Sequence, residues 1–183
     1  MREKIEEKLR AAFGENIVSV SEFKGQLSVE VKREVIVDVC KLLKEDPELQ
    51  FNFLSDICGA DMLNFENASS RKAYLAVEQE FRPEQVPGEE RFRVIYHLTS
   101  LSNKARVRLK VKVSGENPVC PSVTPVYPAA NWCERETFDM FGITFEGHPD
   151  LRRMYMPEEY EYHPLRKDFP LMGVPGSIPL PRK

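Results

Sequence analysis

RVRLKVKV, residues 106–113, sets four basic side chains against four aliphatic ones in strict alternation. Successive side chains of a strand point to opposite faces, so Val107, Leu109, Val111 and Val113 share one face and Arg106, Arg108, Lys110 and Lys112 the other. A helix would scatter both sets around its circumference. The segment is therefore a strand in a sheet with one apolar and one cationic face. Such a cationic face is wet or meets an acidic surface. Antiparallel sheets commonly leave one face in water, and the solvated reading is preferred.

Working outward, Phe92, Val94, Tyr96 and Leu98 alternate through 91–100 as core, which turns His97 and Arg93 to the opposite face. Further strands are predicted over 51–63 and 72–81, giving a meander joined by polar loops over 64–71 and 82–90, the second containing Pro83, Pro87 and Gly88. Nearer the start, Val18 and Val20, then Leu27, Val29 and Val31, alternate around Lys24-Gly25 as a hairpin. Ile5, Leu9 and Phe13 recur at helical spacing over 2–13, with Gly14 placed to cap the helix. Val35, Val39, Leu42 and Leu43 mark a second helix that must stop before Pro47. In the last third prolines are dense, with eleven of the fourteen after residue 117, except between Ala129 and Phe141. A short charged helix is predicted there, with Cys133, Thr137, Met140 and Phe141 on one side, an Arg135–Asp139 pair one turn apart on the other, and Gly142 ending it.

The predicted fold is α+β: two helices packed on a mixed, largely antiparallel sheet, followed by the short charged helix and an extended, proline-rich C-terminal arm. A single domain is expected, with residues 1–142 as its body, including the helix at about 129–141, and 143–183 as a docking arm. At 183 residues such a domain buries roughly 70% of the surface its unfolded chain exposes.

Composition excludes several function classes. Twenty-six Lys and Arg against 29 Asp and Glu leave a net charge of −3, without the basic field of a general nucleic-acid binder. No apolar run approaches the roughly 18 residues of a membrane span, and MREKIEEKLRAAFG reads as an acid-rich amphipathic helix rather than a leader peptide; a soluble, cytoplasmic chain is expected. Cys40, Cys58, Cys120 and Cys133 form no CxxC pair, so neither an iron–sulfur nor a structural zinc site is expected. The glycines never take phosphate-loop spacing, which argues against an NADH site here, and no GxSxG nucleophile motif occurs.

The densest charge lies in 134–173, where His148-Pro149 precedes Leu151-Arg152-Arg153 and His163-Pro164 precedes Leu165-Arg166-Lys167. Glu134-Arg135-Glu136, Asp139, Gly142, Phe145 and His148-Pro149-Asp150-Leu151-Arg152-Arg153, with the later Pro164-Leu165-Arg166-Lys167-Asp168-Phe169-Pro170, resemble the signature of the NuoC family, the 30 kDa subunits of proton-translocating NADH:quinone oxidoreductase, respiratory complex I. Cys133 departs from the family's usual bulky aliphatic, mildly so because a free cysteine packs as a small hydrophobe. The resemblance implies a peripheral subunit of the hydrophilic arm, on the cytoplasmic side of the inner membrane, that carries no redox centre. FMN, iron–sulfur clusters, NADH and quinone are then expected on partner subunits of complex I, chiefly the large quinone-site (D) subunit and the adjacent iron–sulfur (B and I) subunits. The homologous subunit of an energy-converting hydrogenase or F420H2 dehydrogenase is the alternative.

No catalytic residue is expected. The docking surface is expected to use Trp132, Glu134, Arg135, Glu136, Asp139, His148, Asp150, Arg152, Arg153, His163, Arg166, Lys167, Asp168 and Phe169. Glu134, Glu136, Asp139, Asp150 and Asp168 with the two histidines are also the right ligand types for a stand-alone metal enzyme. Each histidine, however, precedes a proline in an extended segment, and no HExxH spacing occurs. Pairing of these acids with Arg135, Arg152, Arg153, Arg166 and Lys167 is the preferred reading, because arginine's planar fork matches a carboxylate.

Overall fold

The structure, a computed structural model, describes residues 1–63, 91–170 and 173. The strand expected over 72–81 and the loops over 64–71 and 82–90 lie outside the described residues. In chain order the elements are α1 (Arg2–Phe13), β1 (Ile17–Phe23), β2 (Gln26–Val31), α2 (Ile36–Glu45), β3 (Phe53–Asp61), β4 (Phe92–Ser100), β5 (Ala105–Val113), β6 (Val119–Pro121), α3 (Ala130–Phe141) and β7 (Thr144–Glu146). This is the predicted α+β architecture, and the predicted elements that fall on described residues lie within a residue or two of their periodicity, whereas β6 and β7 are additional to it.

Five strands form one sheet in the order β1-β2-β5-β4-β3. The β1–β2 hairpin turns at Lys24 and Gly25, both with positive φ (49° and 76°), the backbone twist that matches a two-residue hairpin. β4 pairs antiparallel with both β3 and β5, whereas β2 lies parallel to β5. The alternation read in 106–113 holds: Val107, Leu109, Val111 and Val113 are buried, facing the same side as Val94, Tyr96 and Leu98. Ile5 and Leu9 of α1 and Ile36, Val39, Cys40 and Leu43 of α2 close over that side, where they join one hydrophobic core. Tyr127, ahead of α3, extends into this core and donates its hydroxyl to the Phe51 carbonyl at 2.6 Å. A buried phenol is thereby left with its polar end satisfied.

α3 packs along β3 at Gly59. A Cβ added to Gly59 would lie 2.6 Å from Cδ2 of Phe141, so only a glycine lets the helix approach this closely. The expected division at residue 142 does not coincide with a change in packing. Ile143 and Phe145 belong to the central core, and β7 pairs parallel with β6 through Val119–Thr144 and Cys120–Phe145. The reason is local: 143–148 contains no proline, so this stretch keeps the donors that pairing needs. Only beyond Glu146 does the chain run without helix or strand among the described residues.

Gly59→Ala is expected to destabilise the chain by about 1–3 kcal/mol through overpacking against Phe141. Combining it with Phe141→Leu should cost less than the sum of the two single changes, as a double-mutant cycle in thermal melts would report. Strict additivity would separate Gly59 from the helix contact.

Candidate functional site

The last turn of any helix leaves carbonyls without partners, and the arm of this chain supplies them to α3. Gly142, in the left-handed conformation (φ 73°, ψ 25°), donates its N–H to the Phe138 carbonyl at 2.8 Å. The Asp139 carbonyl accepts from Nδ1 of His163 at 3.0 Å and from Nη1 of Arg153 at 3.3 Å. Leu165 donates its N–H to the Met140 carbonyl at 3.1 Å, and Nε of Arg166 donates to the Phe141 carbonyl at 2.6 Å. A Cβ on Gly142 would collide with the His163 and Arg166 side chains. Two arginines thus sit at the negative end of the helix dipole, where positive charge is favoured.

Both histidines of the His-Pro steps serve α3 through its backbone. Nδ1 of His148 accepts the Asp150 N–H at 3.0 Å, so the proton resides on Nε2, which donates to the Asn131 carbonyl at 3.2 Å. His163 must likewise carry its proton on Nδ1 to bond a carbonyl. Burial lowers its pKa against the opposing Asp139 carbonyl, and Arg166 and Arg153 lower it further, so the ring is neutral near pH 7.

Among the described residues three carboxylates are buried, and their environments differ. Asp139 accepts three successive backbone N–H groups, from Met154 (2.9 Å), Tyr155 (2.7 Å) and Met156 (3.0 Å), on Oδ2, and Nη1 of Arg153 (2.7 Å) on Oδ1. Burial pushes its pKa up, but the bonds from Met156, Tyr155, Arg153 and Met154 outweigh it and hold Asp139 below the usual carboxylate range. Asp61, at the end of β3, takes Nε and Nη2 of Arg91 at 3.1 and 2.7 Å, and the N–H groups of Leu63 and Lys167 at 2.9 Å each. Its pKa is lowered as well, these donors overcoming burial. Arg91 also pairs with Asp168 at 2.9 Å, so the arm is fastened to β3 and β4 as well as to α3. Glu134 has fewer donors: the Ser122 hydroxyl (2.6 Å) and the Val123 N–H (2.8 Å), with Nε2 of His148 at 4.0 Å. Burial raises its pKa to about 7, against the two hydrogen bonds.

The expected Arg135–Asp139 pair does not form. Asp139 faces inward under the 154–156 turn and takes Arg153 instead, while Arg135 lies along the helix surface. Its Nε and Nη2 donate to the Arg152 and Arg153 carbonyls at 3.0 and 3.2 Å, and its guanidinium stacks on Trp132 at 5.1 Å. Glu134 and Asp139, expected at the docking surface, are enclosed within the chain and present no atoms to a partner. Glu136, Asp150, Arg152 and Lys167 are exposed; Arg135, His148, Arg153, His163, Arg166, Asp168 and Phe169 are half-buried. Trp132 is 60% exposed, and Tyr155, Tyr162 and Leu165 join it among the exposed large apolar residues of α3 and the arm. The acids and histidines weighed as a metal set are not brought together: among the described residues no three such ligands converge. Asp61, Arg91 and Ser122 escaped the sequence reading because their partners lie far along the chain, where no local pattern marks them.

Asp139→Asn, which removes one acceptor oxygen's charge and sets an amide against three N–H donors, should cost the isolated chain about 3–5 kcal/mol and lower its melting temperature by at least about 6 °C. Arg135→Ala should cost less than about 1 kcal/mol. Glu134 gives a pH signature of definite sign. Its folded pKa lies above its ordinary value of 4.5, so the folded chain binds this proton more tightly than the unfolded chain does. The associated stability is complete below pH 4.5 and declines until pH 7. Relative to Glu134→Gln, the native chain should therefore lose on the order of 3 kcal/mol across that window, measured by denaturant titration. Parallel pH profiles would mean Glu134 ionises normally.

Residues 29–175 match the protein family described as respiratory-chain NADH dehydrogenase, 30 Kd subunit. The NADH-quinone oxidoreductase C subunit of Roseiflexus sp. (strain RS-1) is 49% identical over 165 residues, covering 90% of this chain and 82% of that protein. A C subunit of the same enzyme from Rhizobium meliloti (strain 1021) is 46% identical over 167 residues, covering 91% and 79%. Among solved structures, the trypsin-resistant fragment of Nqo5 matches with a TM-score of 0.60 and 35% identity, over 82% of this chain and all of the fragment. A chain from the membrane-bound sulfane sulfur reductase, an archaeal respiratory membrane complex, shares the fold at a TM-score of 0.66 with 21% identity, over 93% of this chain and 86% of that one. With that family matched across most of its length and with the signature residues assembled around α3, the chain belongs to the 30 kDa subunit family of respiratory-chain NADH dehydrogenase.

Proposed function

We propose that the chain serves NADH:quinone oxidoreductase as a scaffold without a redox centre of its own, docking through the outward side of α3 and the arm clamped to it. The carrying observation is the clamp itself. Asp61, Asp139 and the neutral His163 are spent on fastening the arm, and this holds Trp132, Tyr155, Tyr162 and Leu165 outward beside Arg135 and Arg152. Exposed aromatic side chains with arginine are the composition of binding hot spots, and a surface held rigid before binding loses little entropy on docking. The cysteines support the absence of a redox centre by their spacing: Cys40, Cys58, Cys120 and Cys133 form no CxxC pair of the kind that cluster and zinc sites use.

On this reading the partners are the quinone-site (D) subunit and the iron–sulfur (B and I) subunits, which hold the clusters and quinone, with FMN and NADH further along the enzyme. The chain then sits peripherally on the cytoplasmic side of the membrane. No helix among the described residues is long and apolar enough to cross a membrane. The common fold with the sulfane sulfur reductase chain motivates a second reading, the homologous subunit of a related membrane-bound complex such as an energy-converting hydrogenase or F420H2 dehydrogenase. The electron donor that drives the purified assembly separates the two.

Trp132→Ala combined with Tyr155→Ala should leave the melting temperature of the isolated chain nearly unchanged yet weaken its association with the quinone-site subunit by about 2 kcal/mol, some 30-fold. Co-purification from membranes and NADH:quinone activity should fall together. Undiminished association would move the docking surface elsewhere. Elemental analysis of the purified chain should find no stoichiometric zinc or iron, and one metal ion per chain lost on His163→Ala would replace the scaffold reading with an enzyme.

A further inference from the structure

The cationic face of the sheet has no role in the clamp. On β5, Arg106, Arg108, Lys110 and Lys112 point outward, and across from them on β4 stand Thr99, His97, Ile95 and Arg93. Lys112 pairs with Glu30 of β2 at 3.2 Å. Among the described residues Arg108 is held by neutral acceptors, Oε1 of Gln26 at 2.8 Å and Oγ of Ser28 at 3.5 Å. Among the described residues, Arg93, Arg106, Arg108 and Lys110 have no carboxylate within ion-pair distance, and Nε of Arg93 is buried without a hydrogen-bond partner. The surface is concave where these residues meet: two adjoining hollows, of about 390 and 510 Å³, share His97 and Arg108. Asp56 of β3 lines the first hollow but pairs with none of the four cations. Of these, Arg93, Arg108 and Lys110 are half-buried and Arg106 is exposed. Partly sheltered cations without counter-charge are an electrostatic cost that a ligand of opposite sign would relieve.

We propose that this face is a second interaction surface, which takes an extended acidic segment of a partner protein carrying carboxylates at alternate positions. Spacing selects that ligand. Same-face residues of a strand lie roughly 7 Å apart, so Arg106, Arg108 and Lys110 form a ladder about 14 Å long rather than a cage converging on one point. A single phosphate would reach at most two rungs. An extended peptide has the same period, and its alternate carboxylates meet every rung. Ile95 and Met62, in the floor of one hollow, offer an apolar rest for a side chain between them. A nucleic acid could also present regularly spaced anions, but among the described residues no Phe, Tyr or Trp lines either hollow to stack a base, and the chain's net charge of −3 opposes a long polyanion away from the face. The proposal does not depend on the surface assigned to α3 and the arm, which lies around a different element.

The test is fluorescence anisotropy of a labelled peptide of alternating glutamate and threonine, titrated with the full chain at low and at physiological salt. Binding should weaken with salt. It should fall at least about tenfold in Arg106→Glu and in Lys110→Glu, fall less in Lys110→Gln, and stay unchanged in Arg10→Glu on α1, with circular dichroism melts reporting that each variant is folded. A peptide of identical composition with its glutamates in one block should bind more weakly, because half of them would point away from the ladder. No binding, equal binding of the block peptide, or equal loss in Arg10→Glu overturns the proposal. Tighter binding of a uridine oligomer than of the alternating peptide overturns it in favour of a nucleic-acid partner.

Discussion

The Asp139 carboxylate is the constraint around which the C-terminal third is organised. An ionised carboxylate removed from water costs several kcal/mol unless its acceptor sites are filled. Here they are filled by three consecutive N–H groups and one guanidinium, all from residues 153–156. Satisfying one helical side chain therefore dictates the path of the arm, because a single turn must wrap over α3 to deliver those donors. Once that turn is in place, His163, Leu165 and Arg166 reach the open carbonyls at the helix end, and Lys167 and Asp168 reach Asp61 and Arg91. Beyond Glu146 the described part of the arm contains no helix or strand, yet it is ordered by the groups it caps.

The three buried acids show how donor number decides ionisation. Asp61 and Asp139 each receive a guanidinium and two or more backbone N–H groups, and they stay charged against burial. Glu134 receives one hydroxyl and one N–H, and burial prevails. Ser122 can turn to accept the carboxyl proton while bonding Thr124 at 2.7 Å, so both forms of Glu134 are accommodated without rearrangement. The first two acids act as fixed anchors for the arm, and the third holds the start of α3 to the strand segment that leads into it.

Two surfaces with different physics follow from this construction. The outward side of α3 and the arm is aromatic and guanidinium-rich, rigid because its undersurface is pinned, and suited to close packing. The outer face of the sheet is a ladder of charge, suited to orienting a partner electrostatically and responsive to salt. On the scaffold reading proposed above, two unlike faces fixed to one core would let the subunit meet two neighbours at a set angle.

Local patterns in the sequence determined α1, α2 and β5, because helical and strand periodicities are properties of adjacent residues. Lys24-Gly25 announced the hairpin, and the proline-free window between Ala129 and Phe141 announced α3, which Gly142 ends. The family signature was legible too, as a string of unusual residues, although the role of each was not. Arg135 and Asp139 sit at ideal helical spacing for an ion pair, and only the tertiary structure decided that Arg153 would take Asp139 and leave Arg135 to the arm's carbonyls. The parallel pairing of β2 with β5, the inclusion of Ile143 and Phe145 in the core, and the anchoring of Lys167 by Asp61 were likewise decided by the folded chain. Each of these joins residues distant in sequence, and a hydrogen bond between such residues depends on where packing places them, which no periodicity encodes.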